Sequence, residues 1–302
     1  MDLRDIDYFA VIAEHCHLGR AAEALGLGQP ALSMSLRRLE RLAQAKLVKR
    51  TPKGIELTAV GAALLSRVGR LRLARDDLAR EMADLARGQA GHLRIGVSPM
   101  STDYLAAVYP ALLSAAPELT LQIIDSDNDV MVPSLRNGQL DLVFNYLPPS
   151  PYEGAAQEHV YDDEWVVCAS AEHRLAKRER VSMKDLVQER WALSTVNMLP
   201  QNPLPRAFQD RGLPPPRVAV EARPVRIRLQ VIACSDLLSF TSRRIVQQAG
   251  LRFHLKELPV KELTLRRPVG VIYRKDAYLS PAARRFIEIL KTTAKEITAE
   301  KQ

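Results

Sequence analysis

Apolar residues recur at helical spacing from the start of the chain. Ile6, Phe9, Ala10, Ile12 and Ala13 share one face of a segment from Leu3 to about Glu14, which predicts a helix with a buried stripe. His15–His17 break that pattern. Arg20 to Leu25 predicts a short second helix with Ala21, Ala22 and Leu25 inward, and Gly26 supplies the left-handed residue that ends it. Pro30 suits the first turn of a third helix, in which Ala31, Met34 or Ser35, Leu39 and Leu42 carry the spacing to about Ala43. Leu47–Arg50 and Ile55–Leu57 then read as two strands around a Thr51–Gly54 turn, a small β-wing.

Thr58 stands where it would cap a long helix from Ala59 to about Arg87. On it Val60, Leu64, Val68, Leu71, Leu78, Met82 and Leu85 are separated by threes, fours and their sums. At 1.5 Å per residue such a helix is about 40 Å long, and its apolar seam is more than a small domain needs to bury. A dimerising linker is therefore expected. Past Gly88 and Gly91 the pattern changes to strands alternating with helices. HLRIGVS, LTLQIID and DLVFNYL read as strands; Tyr104–Ala115 and Met131–Asn137 read as helices between them. EWVVCAS, the helix-like MKDLVQ, RWALST, PPPRVAVEA, IRLQVIACS, LLSFTS and VGVIYRK follow before a final helix from Pro281. This alternation predicts an α/β unit with a mostly parallel sheet.

The 302 residues exceed one small domain, so two units are expected. The net charge of +8 is less telling than its placement. Between Gln29 and Lys53 the basic residues are Arg37, Arg38, Arg41, Lys46, Lys49, Arg50 and Lys53, against Glu40 alone. MDLRDIDYF lacks the basic and apolar regions of a signal peptide, no stretch is long and apolar enough to span a membrane, and Cys16, Cys168 and Cys234 do not make a disulfide framework. A cytoplasmic location is the expectation.

A short helix, a glycine turn and a second helix with a polar outer face have the form of a helix-turn-helix, whose second helix enters the major groove. Gln29 and Ser33 lie one turn apart at its start, and Gln reads adenine bidentately. The full string RAAEALGLGQPALSMSLRRLERLAQAKLVKRTPKGIELTAVGAAL closely resembles the LysR-type transcriptional regulators, through Ala21–Ala22, Gln29–Ser33, Leu39–Glu40, Arg50, Leu57–Thr58 and Gly61. HLRIGVS, NGQLDLVF and EHRLAKRERVSMKDL resemble that family's effector domain. There are departures. Gly28 replaces the usual Ser, His17 and Gly19 replace small hydroxyl residues, Met34 stands where Arg is frequent, and Leu47–Val48 replaces Leu-Phe. The resemblance implies base-edge contacts for Gln29, Pro30, Ser33 and Met34, and phosphate or wing contacts for Arg37, Arg38, Arg50 and Lys53.

The resemblance further implies a winged helix-turn-helix over 1–58, a linker and dimerisation helix over 59–90, and an effector-binding domain of periplasmic-binding-protein type over 91–302. One α/β lobe of that domain would span about 91–163 and 268–302, the other about 164–267. A ligand would lie between them, at strand C-termini and helix N-termini. Ser98, Met100, Ser101 and Thr102 follow the first strand, Asn145 and Tyr146 end the third, Ser194, Thr195 and Asn197 end RWALST, and Arg223 and Thr241 follow later runs; hydroxyls and backbone N–H groups there suit an anion. Expected partners are double-stranded DNA at an interrupted inverted repeat, a small-molecule effector, a second copy through 59–87, a homotetramer, and RNA polymerase.

Enzyme motifs are missing. Gly96 and Ser98 are followed by Met100, so there is no G-x-S-x-G elbow. There is also no G-x-G-x-x-G, P-loop, H-E-x-x-H or C-x-x-C. Asp125, Asp127 and Asp129 lack the remaining ligands of a Ca²⁺ loop and read as a solvated loop near the cleft. Cys168 and Cys234 lie in apolar runs and read as buried, inert thiols. No enzyme, metal or cofactor is expected. A ligand-independent regulator with a vestigial cleft is the alternative to effector control.

Overall fold

The computed structural model describes residues 2–52, 54–87, 91–98, 102–194 and 202–299, and side chains for all of these except 86, 87, 102, 103, 251, 298 and 299. The chain divides into two compact units, Met1–Gly88 and Gln89–Gln302.

The first unit runs α1 (Leu3–His15), α2 (Leu18–Ala24), α3 (Gln29–Ala43), β1 (Val48–Thr51), β2 (Gly54–Leu57) and α4 (Ala59–Arg87). Its core joins Ile6, Phe9 and Ile12 of α1 to Ala21 and Ala22 of α2, Leu32, Leu36 and Leu39 of α3, Leu47, Ile55 and Val68. The inward stripe of α3 matches the expected one at Leu39 and, of the two alternatives offered, at Ser35, and differs from it elsewhere. Leu32, Leu36 and Leu39, spaced four and three, are buried, whereas Ala31, Met34 and Leu42 are exposed.

Local chemistry explains the helix ends. Helix α2 begins earlier than the spacing predicted because His17 caps it: its Nδ1 accepts hydrogen bonds from the N–H groups of Gly19 at 3.1 Å and Arg20 at 3.4 Å. The imidazole does what the usual hydroxyl would. At the other end Gly26, with φ of +63°, closes a Schellman turn in which Leu27 N–H reaches the Ala22 carbonyl at 2.9 Å. Thr58 caps α4, its Oγ1 accepting from Gly61 N–H at 3.0 Å and donating to the Lys46 carbonyl at 2.7 Å. A Cβ on Gly61 would stand 2.0 Å from the Leu47 carbonyl oxygen, so the close approach of α4 to the wing requires glycine there.

The second unit runs β3 (His92–Val97), α5 (Thr102–Ala115), β4 (Thr120–Asp125), α6 (Asn128–Arg136), β5 (Leu142–Tyr146), β6 (Ala155–Ser170), α7 (Met183–Val187), β7 (Arg190–Leu193), α8 (Pro203–Gln209), β8 (Arg217–Glu221), α9 (Val225–Ala233), β9 (Ser239–Ser242), α10 (Arg243–Phe253), β10 (Leu255–Glu257), β11 (Leu265–Arg274) and α11 (Pro281–Ala299). A seven-stranded sheet has the order β10-β6-β11-β5-β3-β4, with β9 also on β6; β7 and β8 form a second, parallel pair. As predicted, β3 is parallel to β4 and β5. The expectation of a mostly parallel sheet is corrected, because β6 and β11 meet all their partners antiparallel. These two strands link the halves of the unit, one leaving and one returning, and opposite directions side by side make an antiparallel ladder. Strand β6 pairs with β11 from Ala155 to Trp165, then with β9 and β10 up to Ser170.

EWVVCAS is the second half of the sixteen-residue β6, and IRLQVIACS falls largely within helix α9. Cys234 therefore lies past the buried face of α9 and is exposed, correcting the expectation of burial. Cys168 is buried on β6, and burial pushes its thiol up to about 12.

Candidate functional site

In the first unit the candidate reading surface is the outer side of α3. Gln29 and Pro30 form its first turn and are exposed; Ser33 is half-buried, Met34 is 61% exposed, and Arg37 is exposed one turn further. Pro30, Met34, Arg37 and Arg41 follow one another at helical spacing on the exposed face. Arg50 is exposed on β1, and Lys53 lies outside the described residues.

Arg38 behaves differently from its neighbours. Its Nε donates to Asp5 Oδ2 at 2.8 Å and its Nη2 to Oδ1, while Ser35 Oγ donates to the same carboxylate at 2.5 Å. Asp5 is buried in α1, and hydrogen bonds from Arg38, opposed by burial and aided by Ser35, hold its carboxyl below the usual range. Arg38 thus braces α3 against α1, while its side chain stays half exposed. Glu40 is also structural. Its carboxylate accepts from Leu47 N–H at 3.1 Å and Lys46 Nζ at 2.7 Å, tying the end of α3 to the start of the wing.

Helix α4 has two regimes. Val68 is buried against the unit, and Asp7 of α1 binds Arg72 at 2.6 Å and Arg75 at 2.7 Å. Leu71, Leu78, Met82 and Leu85 are exposed, Leu85 by 78%. Val60, also on the expected seam, is exposed, and Leu64 is half-buried.

In the second unit, residues far apart in sequence form one polar chain. Ser98 is buried after β3, its N–H bonded to the Phe144 carbonyl at 3.1 Å. Asn145 is buried at the end of β5; its Nδ2 donates to Asn128 Oδ1 at 2.9 Å, and Asn128 Nδ2 donates to the Tyr146 carbonyl at 3.0 Å. The Tyr146 hydroxyl donates to Asp163 Oδ2 at 2.5 Å and accepts from Trp165 Nε1 at 2.6 Å. Ser242 Oγ reaches Asp163 Oδ1 at 3.0 Å, and the Arg267 guanidinium lies 4.2 Å over the Tyr146 ring and 4.6 Å over Trp165. Burial and the neighbouring Asp163 hold the Tyr146 phenol protonated, and burial, against the hydrogen bonds it accepts, raises Asp163. Thr241 is fully buried on β9 beside Ser242, and Ser194 is buried at the end of β7.

Arg223 is exposed and makes an ion pair with Asp129 of α6. A second link joins the halves: Arg244 of α10 donates to the Tyr104 hydroxyl of α5 at 2.9 Å and lies 4.5 Å over its ring. Met100, Ser101, Thr195 and Asn197 lie outside the described residues, as does the side chain of Thr102. Asn128, Asp129, Asp163, Trp165, Arg228 and Arg267 were not among the expected site residues. The signal for Arg228 was present: it interrupts the buried spacing of Leu229 and Ile232 with a charge.

A capped helix pair with a wing, followed by an α/β unit threaded twice by long strands, is the architecture of a helix-turn-helix regulator with a sensor domain. Residues 3–62 match the family model described as bacterial regulatory helix-turn-helix protein, lysR family, and residues 86–295 match the LysR substrate binding domain. The chain belongs to the LysR family of DNA-binding transcription regulators with an effector-binding domain. It is 26% identical over 297 residues to the HTH-type transcriptional regulator GbpR of Azospirillum brasilense, covering 97% of this chain and 87% of that protein. It is 30% identical over 299 residues to the HTH-type transcriptional regulator IlvR of Caulobacter vibrioides, covering 91% and 93%. Full-length CbnR, solved with its target DNA, shares the fold with a TM-score of 0.62 at 21% identity, covering 97% of this chain and 100% of that one. Among the described residues no helix is long and apolar enough to cross a membrane.

Proposed function

We propose that the start of α3 reads the operator. Gln29, Pro30 and Ser33 address base edges, Met34 offers an apolar contact suited to a thymine methyl, and Arg37, Arg50 and Lys53 hold phosphates. The observation that carries this is the division of α3: one face is locked to α1 through Asp5 and the leucine stripe, while Gln29, Met34 and Arg37 face solvent. Arg38, half exposed, both braces α3 on Asp5 and stands within reach of a phosphate. Gln29→Ala is expected to lower operator affinity by about 1–3 kcal/mol and relax sequence choice. Unchanged binding in a gel-shift titration removes Gln29 from the reading set.

The exposed seam at Leu71, Leu78, Met82 and Leu85 supports pairing of two copies through residues 59–87, with two such pairs forming a tetramer on an interrupted inverted repeat. Residues 1–58 then serve as the DNA-binding domain, 59–90 as the linker, and 91–302 as the effector domain, with lobes of about 91–163 plus 268–302 and about 164–267. The protein acts in the cytoplasm, contacts RNA polymerase, and performs no catalysis.

The effector, a small molecule with an anionic group, binds between the lobes near Ser98, Thr102, Asn145, Ser194, Arg223 and Thr241, and shifts the arrangement of the assembly on DNA by its preference for one state. A footprint or bend that changes when a small carboxylate binds tests this; a footprint indifferent to every bound ligand overturns it. The Arg223–Asp129 ion pair favours a second reading, in which the protein's own side chains hold the lobes without a ligand. A thermal-shift screen separates the two, since a ligand at 100 times its Kd stabilises by about 2.7 kcal/mol.

A further inference from the structure

Arg228 is 2% exposed, on the buried face of α9 with Leu229 and Ile232. Its Nη1 donates to the carbonyls of Ala222 at 2.8 Å and Arg223 at 2.6 Å. Its Nε is enclosed without a partner, and among the described residues no carboxylate pairs with it. A buried guanidinium lacking a counter-ion is unfavourable, because desolvation is not offset by a close opposite charge. Burial accordingly lowers its pKa, against the opposing influence of Asp127, at the N-cap of α6, and of Cys168. The edge formed by Nε and Nη2 is the side that grips a carboxylate with two parallel hydrogen bonds.

Asp127 is the complement. It occupies the N-cap position of α6, yet its side chain makes no capping hydrogen bond, and it is half-buried. Burial raises its pKa, as does the charge of Asp129, against Arg223 and Arg228, which lower it. Asp125 is raised by burial and by Asp127. Asp127 and Asp129, at the start of α6, therefore stand opposite Arg223 and Arg228 of the segment leading into α9. One pair, Asp129 with Arg223, is made. The other, Asp127 with Arg228, is not.

A plain carboxylate on Arg228 would meet the field of the aspartates. A plain amine on Asp127 would leave Arg228 unpaired. A molecule bearing both charges satisfies both walls. We propose that this cleft takes a zwitterion of the α-amino-acid class, with its carboxylate on the Nε–Nη2 edge of Arg228 and its ammonium on Asp127. The inference rests on the reading of the cleft as a ligand site.

The test uses the full chain in isothermal titration with the free protein amino acids, their 2-hydroxy-acid counterparts and the matching amines. The expected result is that an amino acid binds at least about tenfold more tightly than its hydroxy acid and its amine. Asp127→Asn, which keeps a competent cap residue, is expected to erase that preference between amino acid and hydroxy acid. Arg228→Lys is expected to weaken binding of both. Hydroxy acids binding as tightly as amino acids, or an unchanged preference in Asp127→Asn, overturns the zwitterion assignment and leaves ligand control standing, provided the footprint still responds to the bound acid. No binding by any amino acid also overturns it, and a footprint then indifferent to small carboxylates removes ligand control as well.

Discussion

The two candidate sites are built in opposite ways. The proposed DNA-reading surface comes from one stretch of chain: its candidate contacts run from Gln29 to Lys53, and local bonds at His17, Gly26, Glu40 and Thr58 fix its frame. The polar chain of the second unit joins residues from β5, α6, β6, β9 and β11, and its Asp163–Ser242 bond spans 79 positions. A site made locally survives damage elsewhere in its unit as long as its helix stays capped and braced. A site made of distant pieces shares its bonds with the fold, so its residues cannot be altered without moving the framework.

The sharpest way to break this contrast is at Asp163. Asp163→Ala leaves the Tyr146 and Ser242 hydroxyls without their acceptor inside the protein, and is expected to destabilise the second unit by about 3 kcal/mol in urea denaturation. The pH dependence points the same way. Burial raises Asp163 above its unfolded value, so the folded state holds this proton longer. The stability it contributes is full below the unfolded carboxylate range and is lost as pH rises through the folded value. Asp163→Asn should flatten that slope, and an unchanged pH profile would exclude Asp163 as its source.

Asp5→Ala comes next, at about 2 kcal/mol, because Ser35 and Arg38 lose their shared acceptor. If α3 is braced as described, operator binding weakens in step with melting of the first unit, and a variant that melts normally but binds poorly would argue for direct contact instead. Arg50→Ala should leave stability near wild type and reduce the salt slope of binding by about 1, measured by titration across ionic strength. The smallest effect is expected for His17→Ala, a loss of about 1 kcal/mol from the α2 cap, with His17→Ser restoring most of it. A melting temperature insensitive to both substitutions would show that α2 does not depend on that cap.

The same contrast governs what was legible in the sequence. The helix pair, the wing and the long helix were readable because their spacing and punctuation are local. The misread part of the α3 stripe has a local cause too: Ala31, Met34 and Leu42 are apolar residues on a face kept free, and the packing of α1 and α2 selects Leu32 and Leu36 beside the expected Leu39. In the second unit, strands β3 to β5 were readable, as was the polar end of β5. The partners of that end were not. Asp163 sits in a run of three charged residues, Asp162 to Glu164, that resembles a surface, and the Arg223–Asp129 pair is 94 positions apart. No periodicity encodes such a pairing; tertiary structure alone supplies it.

Strand β6 carries a mechanical consequence. Its sixteen residues run unbroken through both halves of the second unit, laddered to β11 along the first part and to β9 and β10 along the rest, with the register slipping once, at Val269/Gly270. Turning one half against the other must therefore twist these paired strands, with the slip at Val269/Gly270 as the one break in the β6–β11 rungs. It must wind a two-leaf torsion spring whose hydrogen-bonded rungs resist in proportion to the angle. Such a spring has a rest position and returns to it, so a bound molecule acts here as a steady load, and the angle it holds is set by the stiffness of the two leaves.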